Sequence, residues 1–279
     1  MKGVMLQGTA SNVGKSVITT AICRMFTKQG LKISPFKAQN MSNHHVVLDT
    51  GELIAISQYE QAKAANREAE TWMNPVLLKP LKNMETEVVF MGKSQGLIKG
   101  ANFKDNYYSK ALQKIKEGLL QAEINGDFII IEGAGSPVEM NLKERDLSNM
   151  AIAELADVPV LLVADIERGG VFASVVGTLA LLTEKERSRI KGVIINKFAG
   201  KPSLFTDGID WLENYTKLPV LGVIPYIQHQ LEEEDRLYGT EVSFQPKLID
   251  KETDYDRLAN DFAVNIDTKK LLEIMEGAI

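Results

Sequence analysis

From Gly8 to Ser16 the chain reads Gly8-Thr9-Ala10-Ser11-Asn12-Val13-Gly14-Lys15-Ser16, after the short run Val4-Met5-Leu6-Gln7 and before helix-like sequence. A strand, a glycine-bearing turn, Gly-Lys-Ser and a helix, in that order, make a phosphate-binding loop. Glycines let backbone N–H groups turn toward an anion, and the helix N-terminus favours negative charge. Lys15 is long enough to reach β- and γ-phosphates, and the Ser16 hydroxyl suits Mg²⁺. The expected cofactors are therefore ATP and Mg²⁺, with Gly8, Thr9, Asn12, Val13, Gly14, Lys15, Ser16 and Val17 around the nucleotide. Five residues separate Gly8 from Gly14, one more than the common loop has, which narrows the kind of loop.

Other reactive residue types sit just after apolar runs. Glu132 follows Phe128-Ile129-Ile130-Ile131 and opens Glu132-Gly133-Ala134-Gly135-Ser136; it suits either a Mg²⁺ ligand or a cap for the next turn. Asp165 precedes Ile166-Glu167-Arg168-Gly169-Gly170, where it is a metal ligand or a partner for Arg168. The single cysteine, Cys23, lies among Ile18, Ala21, Ile22 and Phe26 and reads as a buried structural thiol with no internal disulfide. His44, His45 and His229 exhaust the histidines, and the adjacent pair reads as solvated loop rather than metal site.

The elements that must position these groups alternate. Apolar β-rich runs at Gly3 to Leu6, Lys32 to Pro35, Phe128 to Ile131, Pro159 to Val163, Gly192 to Ile195 and Val220 to Val223 suit buried parallel strands. Helical patterns occupy about 15 to 29, 51 to 67, 105 to 124, 146 to 156, 170 to 184 and 206 to 216, so βαβ crossovers follow. The expected fold class is α/β, a doubly wound, mostly parallel sheet of the P-loop NTPase kind, with ligands at the carboxyl ends of the strands. With 279 residues, 44% of them apolar, one large α/β domain can form a full core. A formal charge of −5 argues against general affinity for nucleic acid or anionic membranes. No apolar run approaches the roughly 20 residues of a spanning helix and no signal pattern opens the chain, so a cytoplasmic location is expected.

The extended loop Gly8-Thr9-x-x-x-Val13-Gly14-Lys15-Ser16 resembles the dethiobiotin synthetase superfamily. Several further runs are similar to its cobyric acid synthase branch: Pro35-Phe36-Lys37-Ala38-Gln39-Asn40-Met41-Ser42, Met73-Asn74-Pro75-Val76-Leu77-Leu78-Lys79-Pro80, Glu132-Gly133-Ala134-Gly135-Ser136-Pro137, Asp146-Leu147-Ser148-Asn149-Met150, Val163 to Ala173 and Val220 to Tyr226. The resemblance covers about residues 1 to 230. It divides the chain into an ATP-dependent synthetase domain, 1–229, and an acidic linker with a helical tail, 230–279, that includes Glu232-Glu233-Glu234-Asp235, Pro246 and a helical stretch from about Tyr255 to Met275.

The resemblance implies ATP-dependent amidation of carboxylates on a corrinoid, adenosylcobyrinic acid a,c-diamide, through an acyl phosphate. Lys15, Lys37 and Glu132 are then the catalytic set, with Lys37 drawing the substrate carboxylate toward the γ-phosphate. Ser16, Glu132 and Glu52 are the implied metal ligands, although Glu52 equally suits a helix's first turn. Asn196 resembles an adenine-reading Asn, or is a strand-end turn residue. Gln39, Asn40, Ser42, Lys79, Asp146 and Asn149, with Glu139, Asn141 and Arg145, are candidates for orienting the substrate, while Asp146 also suits a helix N-cap. Full-length relatives add a glutaminase with a Cys-His-Glu set, which Cys23 does not provide. A separate glutaminase subunit or free ammonia is expected, and a homodimer is implied. A dethiobiotin synthetase-like carboxylase, a partition-type ATPase and a non-catalytic ATP-binding module are the alternatives.

Overall fold

The computed structural model describes residues 1–81, 85–99, 106–232, 242–244 and 251–278. The expected acidic residues Glu233, Glu234 and Asp235, and Pro246, lie outside the described residues. The chain begins β1 (Gly3–Gly8), α1 (Lys15–Lys28), β2 (Ile33–Phe36). An excursion follows through β3 (Gln39–Met41), β4 (His44–Val47), β5 (Leu53–Ala55), α2 (Ile56–Ala64), β6 (Val76–Pro80), β7 (Glu85–Phe90) and β8 (Lys93–Lys99). Helix α3 (Asn106–Asn125) leads back to β9 (Phe128–Glu132), α4 (Met150–Ala156), β10 (Val160–Asp165), α5 (Val171–Leu181) and α6 (Glu184–Arg189). Then come β11 (Ile190–Phe198), α7 (Thr206–Thr216), β12 (Val220–Pro225), β13 (Val242–Phe244), α8 (Glu252–Ala263) and α9 (Thr268–Met275).

All six strands expected from the sequence enter one parallel sheet, in the order β12-β11-β10-β1-β9-β2. Successive side chains leave a strand on opposite faces, and the core divides accordingly. Val4 and Leu6 of β1, Ile130 of β9 and Leu161 of β10 join one buried cluster with α1, α8 and α9. Met5, Ile129, Ile131 and Leu162 join the other, with α3, α4 and α5. Burial on both faces is why these strands read as nearly continuous apolar runs.

The excursion differs from expectation. Residues 53–55 are a strand antiparallel to β4, so the helix expected at 51 to 67 is confined to α2. A second sheet, β3-β6-β7-β8, pairs β3 with β6 in parallel and the rest antiparallel. His45, expected in solvent, lies in β4 and is buried, with ring Nδ1 3.3 Å from the Asn43 carbonyl. The helix expected at 146 to 156 starts at Met150. The closing helix is two helices, broken where the Asp267 N–H donates to Leu221 O at 2.8 Å and the Asp267 carboxylate accepts Lys270 N–H at 2.9 Å.

Candidate functional site

Five strands of the parallel sheet deliver the candidate residues from their carboxyl ends, the crevice side of such sheets. β1 ends at Gly8, paired with Val163, and Thr9 N–H donates to Val163 O at 2.9 Å. The loop returns to α1 through left-handed backbone at Asn12 and Gly14 (φ 60° and 92°). Gly14 is required twice over: its φ disfavours L side chains, and a Cβ there would stand 2.2 Å from Asn196 Nδ2. Asn196, after the apolar part of β11, donates that amide to Val13 O at 2.8 Å and so ties the loop to the next strand but one. Lys15 Nζ donates to the carbonyls of Ala10 and Gly135, at 3.3 and 3.1 Å, joining the loop to the turn after β9.

Glu132 is the hub. Its Oε1 accepts Ser16 Oγ and Lys37 Nζ, both at 2.8 Å, and its Oε2 accepts Gln61 Nε2 at 2.5 Å. The carboxylate is 1% exposed and Lys37 6%. Burial by itself would raise the Glu132 carboxyl, but the Lys37 charge and hydrogen bonds from Lys37, Ser16 and Gln61 outweigh it and hold the group below the ordinary carboxylate range. An anion accepting charge-assisted bonds in a dry site is strongly held in place.

No motif in the sequence singles out Gln58 or Gln61. They stand three apart on α2, on one helix face, and Gln58 Nε2 donates to Gln61 Oε1 at 3.4 Å while Asn40 Nδ2 donates to Gln58 Oε1 at 3.1 Å. Asn40, Gln58, Gln61 and Glu132 thus form one buried polar chain. The available signal was the pair of amides at helical spacing among residues that otherwise read as an ordinary helix.

The remaining candidates separate by role. Asn149 Nδ2 donates to Ala134 O and Ser136 O, at 2.7 and 3.3 Å, shaping the turn that receives Lys15. Asp146 accepts the N–H groups of Ser148, Asn149 and Ala151, at 2.8, 2.8 and 3.1 Å, and so braces the turn ahead of α4, but the N-cap position is Asn149 rather than Asp146. Gln39 Oε1 accepts Tyr107 Oη at 2.7 Å, Ser42 Oγ accepts His44 N–H at 3.0 Å, and Lys79 pairs with Glu87 at 3.1 Å. Glu139, Asn141 and Arg145 are exposed. Glu52 precedes β5 rather than opening a helix; it pairs with Lys93 at 3.4 Å, accepts Thr50 Oγ1 at 3.2 Å, and is not among the partners of Glu132. Asp165 pairs with Lys197 at 3.0 Å, not with Arg168, and Lys197 also donates to Asn12 O at 2.6 Å. Cys23 is buried, and burial together with the Glu132 charge pushes its thiol up.

The donor set fits Mg²⁺: Ser16 and Glu132 offer hard oxygens side by side, as a cation needs that keeps most of its ligands as water and phosphate. Among the described residues no group of three or more His, Cys, Asp or Glu could hold a metal by protein ligands alone. Beside Asn196 a cleft opens between Gly14 and Val17 of the loop–helix junction and Pro225, the last residue of β12, with Tyr226 after it. Its placement, next to the phosphate loop and under an amide side chain, suits a nucleobase.

Residues 4–237 match the CbiA family model, described as the CobQ/CobB/MinD/ParA nucleotide binding domain. A cobyric acid synthase of Crocosphaera subtropica is 50% identical over 85% of this chain and 48% of its own length. A cobyric acid synthase of Microcystis aeruginosa is 44% identical over 99% of this chain and 58% of its own. The chain thus spans about half the length of the curated relatives it matches. Among solved structures, the signal recognition particle receptor FtsY of Elizabethkingia anophelis in complex with GDP has a TM-score of 0.50 at 14% identity, covering 94% of this chain and 63% of that one. That likeness concerns the fold. Among the described residues no helix is long and apolar enough to cross a membrane.

Proposed function

The chain belongs to the CobQ/CobB/MinD/ParA nucleotide-binding domain family, and from that premise we propose that it is the synthetase part of a cobyric acid synthase, amidating side-chain carboxylates of a corrinoid with ATP. The observation that carries the reading is the convergence of Ser16, Lys37 and Gln61 on the buried Glu132 beside Lys15 and the phosphate loop.

A carboxylate is a poor electrophile. One of its oxygens must form a bond to the γ-phosphorus as the bond to the ADP oxygen breaks, giving an acyl phosphate. Ammonia then attacks the acyl carbon, phosphate leaves, and a proton is lost to yield the amide. The phosphoryl step brings anions together, so it needs alignment and positive charge more than a protein nucleophile. Lys15 and the start of α1 supply that charge at the nucleotide. Lys37, oriented by Glu132, supplies it at the carboxyl end of β2, where the substrate carboxylate enters. Ser16 and Glu132 would hold Mg²⁺, which when bound neutralises phosphate charge. Gln61 keeps Glu132 in place from the side opposite Ser16 and Lys37.

Nitrogen comes from ammonia, free or released by a glutaminase that residues 1–279 do not themselves provide. The only thiol, Cys23, is buried with its ionisation suppressed and cannot act as a glutaminase nucleophile.

Mass spectrometry of adenosylcobyrinic acid a,c-diamide after incubation with the protein and MgATP tests the reading. With ammonium, products lighter by one mass unit per carboxylate converted to amide are expected, and Lys15→Ala should abolish them. With glutamine alone no product is expected. Absence of product with ammonium, from a protein that binds ATP, overturns the assignment of substrate.

A further inference from the structure

Both oxygens of Glu132 are gripped from one short run of chain, Lys37 to Asn40. Lys37 bonds Oε1 directly at 2.8 Å. Asn40, further along in β3, reaches Oε2 by way of α2. Its Nδ2 donates to Gln58 Oε1 at 3.1 Å, Gln58 Nε2 donates to Gln61 Oε1 at 3.4 Å, and Gln61 Nε2 donates to Glu132 Oε2 at 2.5 Å. The polarity of this chain is forced from its end. A carboxylate paired with Lys37 only accepts, so Gln61 must turn its amide nitrogen toward it. The Gln61 oxygen then takes its donor from Gln58, and the Gln58 oxygen takes one from Asn40. All three amides are buried, and β3 fixes Asn40 opposite Leu77 of β6. None of them presents a face to a large substrate.

We infer that Asn40, Gln58 and Gln61 are positioning residues for Mg²⁺, acting through Glu132, and that Asn40 serves this carboxylate rather than the substrate. The inference rests on the nucleotide and metal reading of the site. A carboxylate pivots about the bond that carries it. With Oε2 held by Gln61, Oε1 stays at Ser16, the other oxygen ligand. Released from Gln61, the group is free to turn both oxygens to the Lys37 ammonium, which has donors for both, and to leave Ser16. Mg²⁺ demands near-ideal octahedral geometry, so its affinity is sensitive to such a turn. ATP itself is held by Lys15 and the loop amides, which lie outside the chain. Hydrogen bonds in series polarise one another, so the effect extends to Gln58, one amide removed from Glu132. Metal affinity and metal-free nucleotide affinity should therefore separate.

Calorimetry of ATP binding to the whole protein, first with the metal removed by EDTA and then across a Mg²⁺ titration, tests the chain. Gln58→Met keeps the length of the side chain and removes its donor and its acceptor. It should bind metal-free ATP within about twofold of wild type and need about tenfold more Mg²⁺ to reach the tighter complex, the scale of a lost outer-shell partner. Asn40→Leu should shift the Mg²⁺ requirement in the same direction, and no shift there overturns its part in the chain. An unchanged Mg²⁺ requirement in folded Gln58→Met, with metal-free binding intact, overturns the positioning role and leaves the nucleotide site standing. Loss of metal-free ATP binding in that variant overturns it too, because it marks a general structural role. If Gln58→Met does not fold, NMR on the wild type decides. Adding Mg²⁺ to the ATP complex should move the side-chain amide signals of both Gln61 and Gln58, assigned through the backbone, and a Gln58 signal that stays in place overturns the inference. Wild-type ATP binding that ignores Mg²⁺ overturns the metal reading and the inference with it.

Discussion

Glu132 and Lys37 form a buried ion pair, and that changes what a substitution at either position means. Ser16, Lys37 and Gln61 together occupy both carboxylate oxygens. Removing the charge of Glu132 leaves an ammonium group in a site that excludes water, a change that costs about 3–5 kcal/mol when one partner of a buried pair is lost. Glu132→Gln should accordingly lower stability by that amount in urea unfolding, while Lys37→Met combined with Glu132→Gln should recover most of it. Additive losses in the double variant would contradict the pairing. Activity lost in the single variant therefore counts as chemical evidence only on protein shown to be folded. At this scale Lys15, Ser16, Lys37 and Glu132 were legible in the sequence because each follows an apolar strand in a recognisable run. Gln61 was not, since a glutamine on an ordinary-looking helix carries no local sign of the carboxylate it meets 71 residues away.

Helix α6 shows how short elements fix the loops around the site. Thr183 Oγ1 accepts Glu186 N–H at 3.3 Å and Glu186 Oε2 accepts Thr183 N–H at 2.8 Å, a reciprocal cap that lets six residues hold a helix. The same carboxylate pairs with Lys143 at 2.8 Å, which ties α6 to the segment between β9 and α4. Partial burial would raise the Glu186 carboxyl, but Lys143 and the Thr183 bonds hold it below its ordinary value. Its folded state therefore binds protons less readily than its unfolded state. The group contributes stability above the ordinary carboxylate range, and that contribution disappears as pH falls through the lowered folded value. Glu186→Gln should thus be less stable than wild type at neutral pH, by under about 1 kcal/mol for a partly exposed pair, and the gap should close on acidification below the lowered folded value. A gap that widens in acid would refute this. The long apolar strands of the main sheet were readable because burial on both faces leaves few polar residues in them. β3, at Gln39–Met41, and β8, at Lys93–Lys99, carry no such run; β3 pairs with β6, distant in sequence, while β8 is the edge strand of a hairpin with β7.

The molecule as a whole closes with its two last helices inside the core of one face. Tyr255, Leu258 and Phe262 of α8 and Leu271, Ile274 and Met275 of α9 are buried in the cluster that includes Val4, Leu6, Ile22 and Phe26. Gly222 of β12 meets Ile266 in an isolated antiparallel bridge, and a Cβ on Gly222 would lie 2.3 Å from Asn265 O. A segment packed in this way shares the cooperative stability of the sheet. Leu271→Ala, remote from the proposed nucleotide cleft, should cost about 2–5 kcal/mol, and unfolding followed by circular dichroism and by tryptophan fluorescence should remain one coincident transition. Two separated transitions would show that the tail folds as an independent unit.

The amino-acid sequence by itself determined the phosphate loop, the six strands of the parallel sheet and the side of that sheet on which the candidate residues gather. Each of those depends on residues close together in the chain: a glycine-bearing turn before a helix, or a run of apolar residues long enough for one buried strand. The tertiary structure decided which groups share an atom. It put Ser16 and Lys37 on the same oxygen of Glu132, brought Gln61 to the other, turned Asp165 toward Lys197, left Glu52 beside Lys93, and carried Leu258 and Phe262 to the cleft at Asn196. The physical reason is the same in each case. A carboxylate, an amide or an apolar ring takes whichever partner the folded chain delivers, and nothing in the local sequence specifies contacts that close over tens or hundreds of residues.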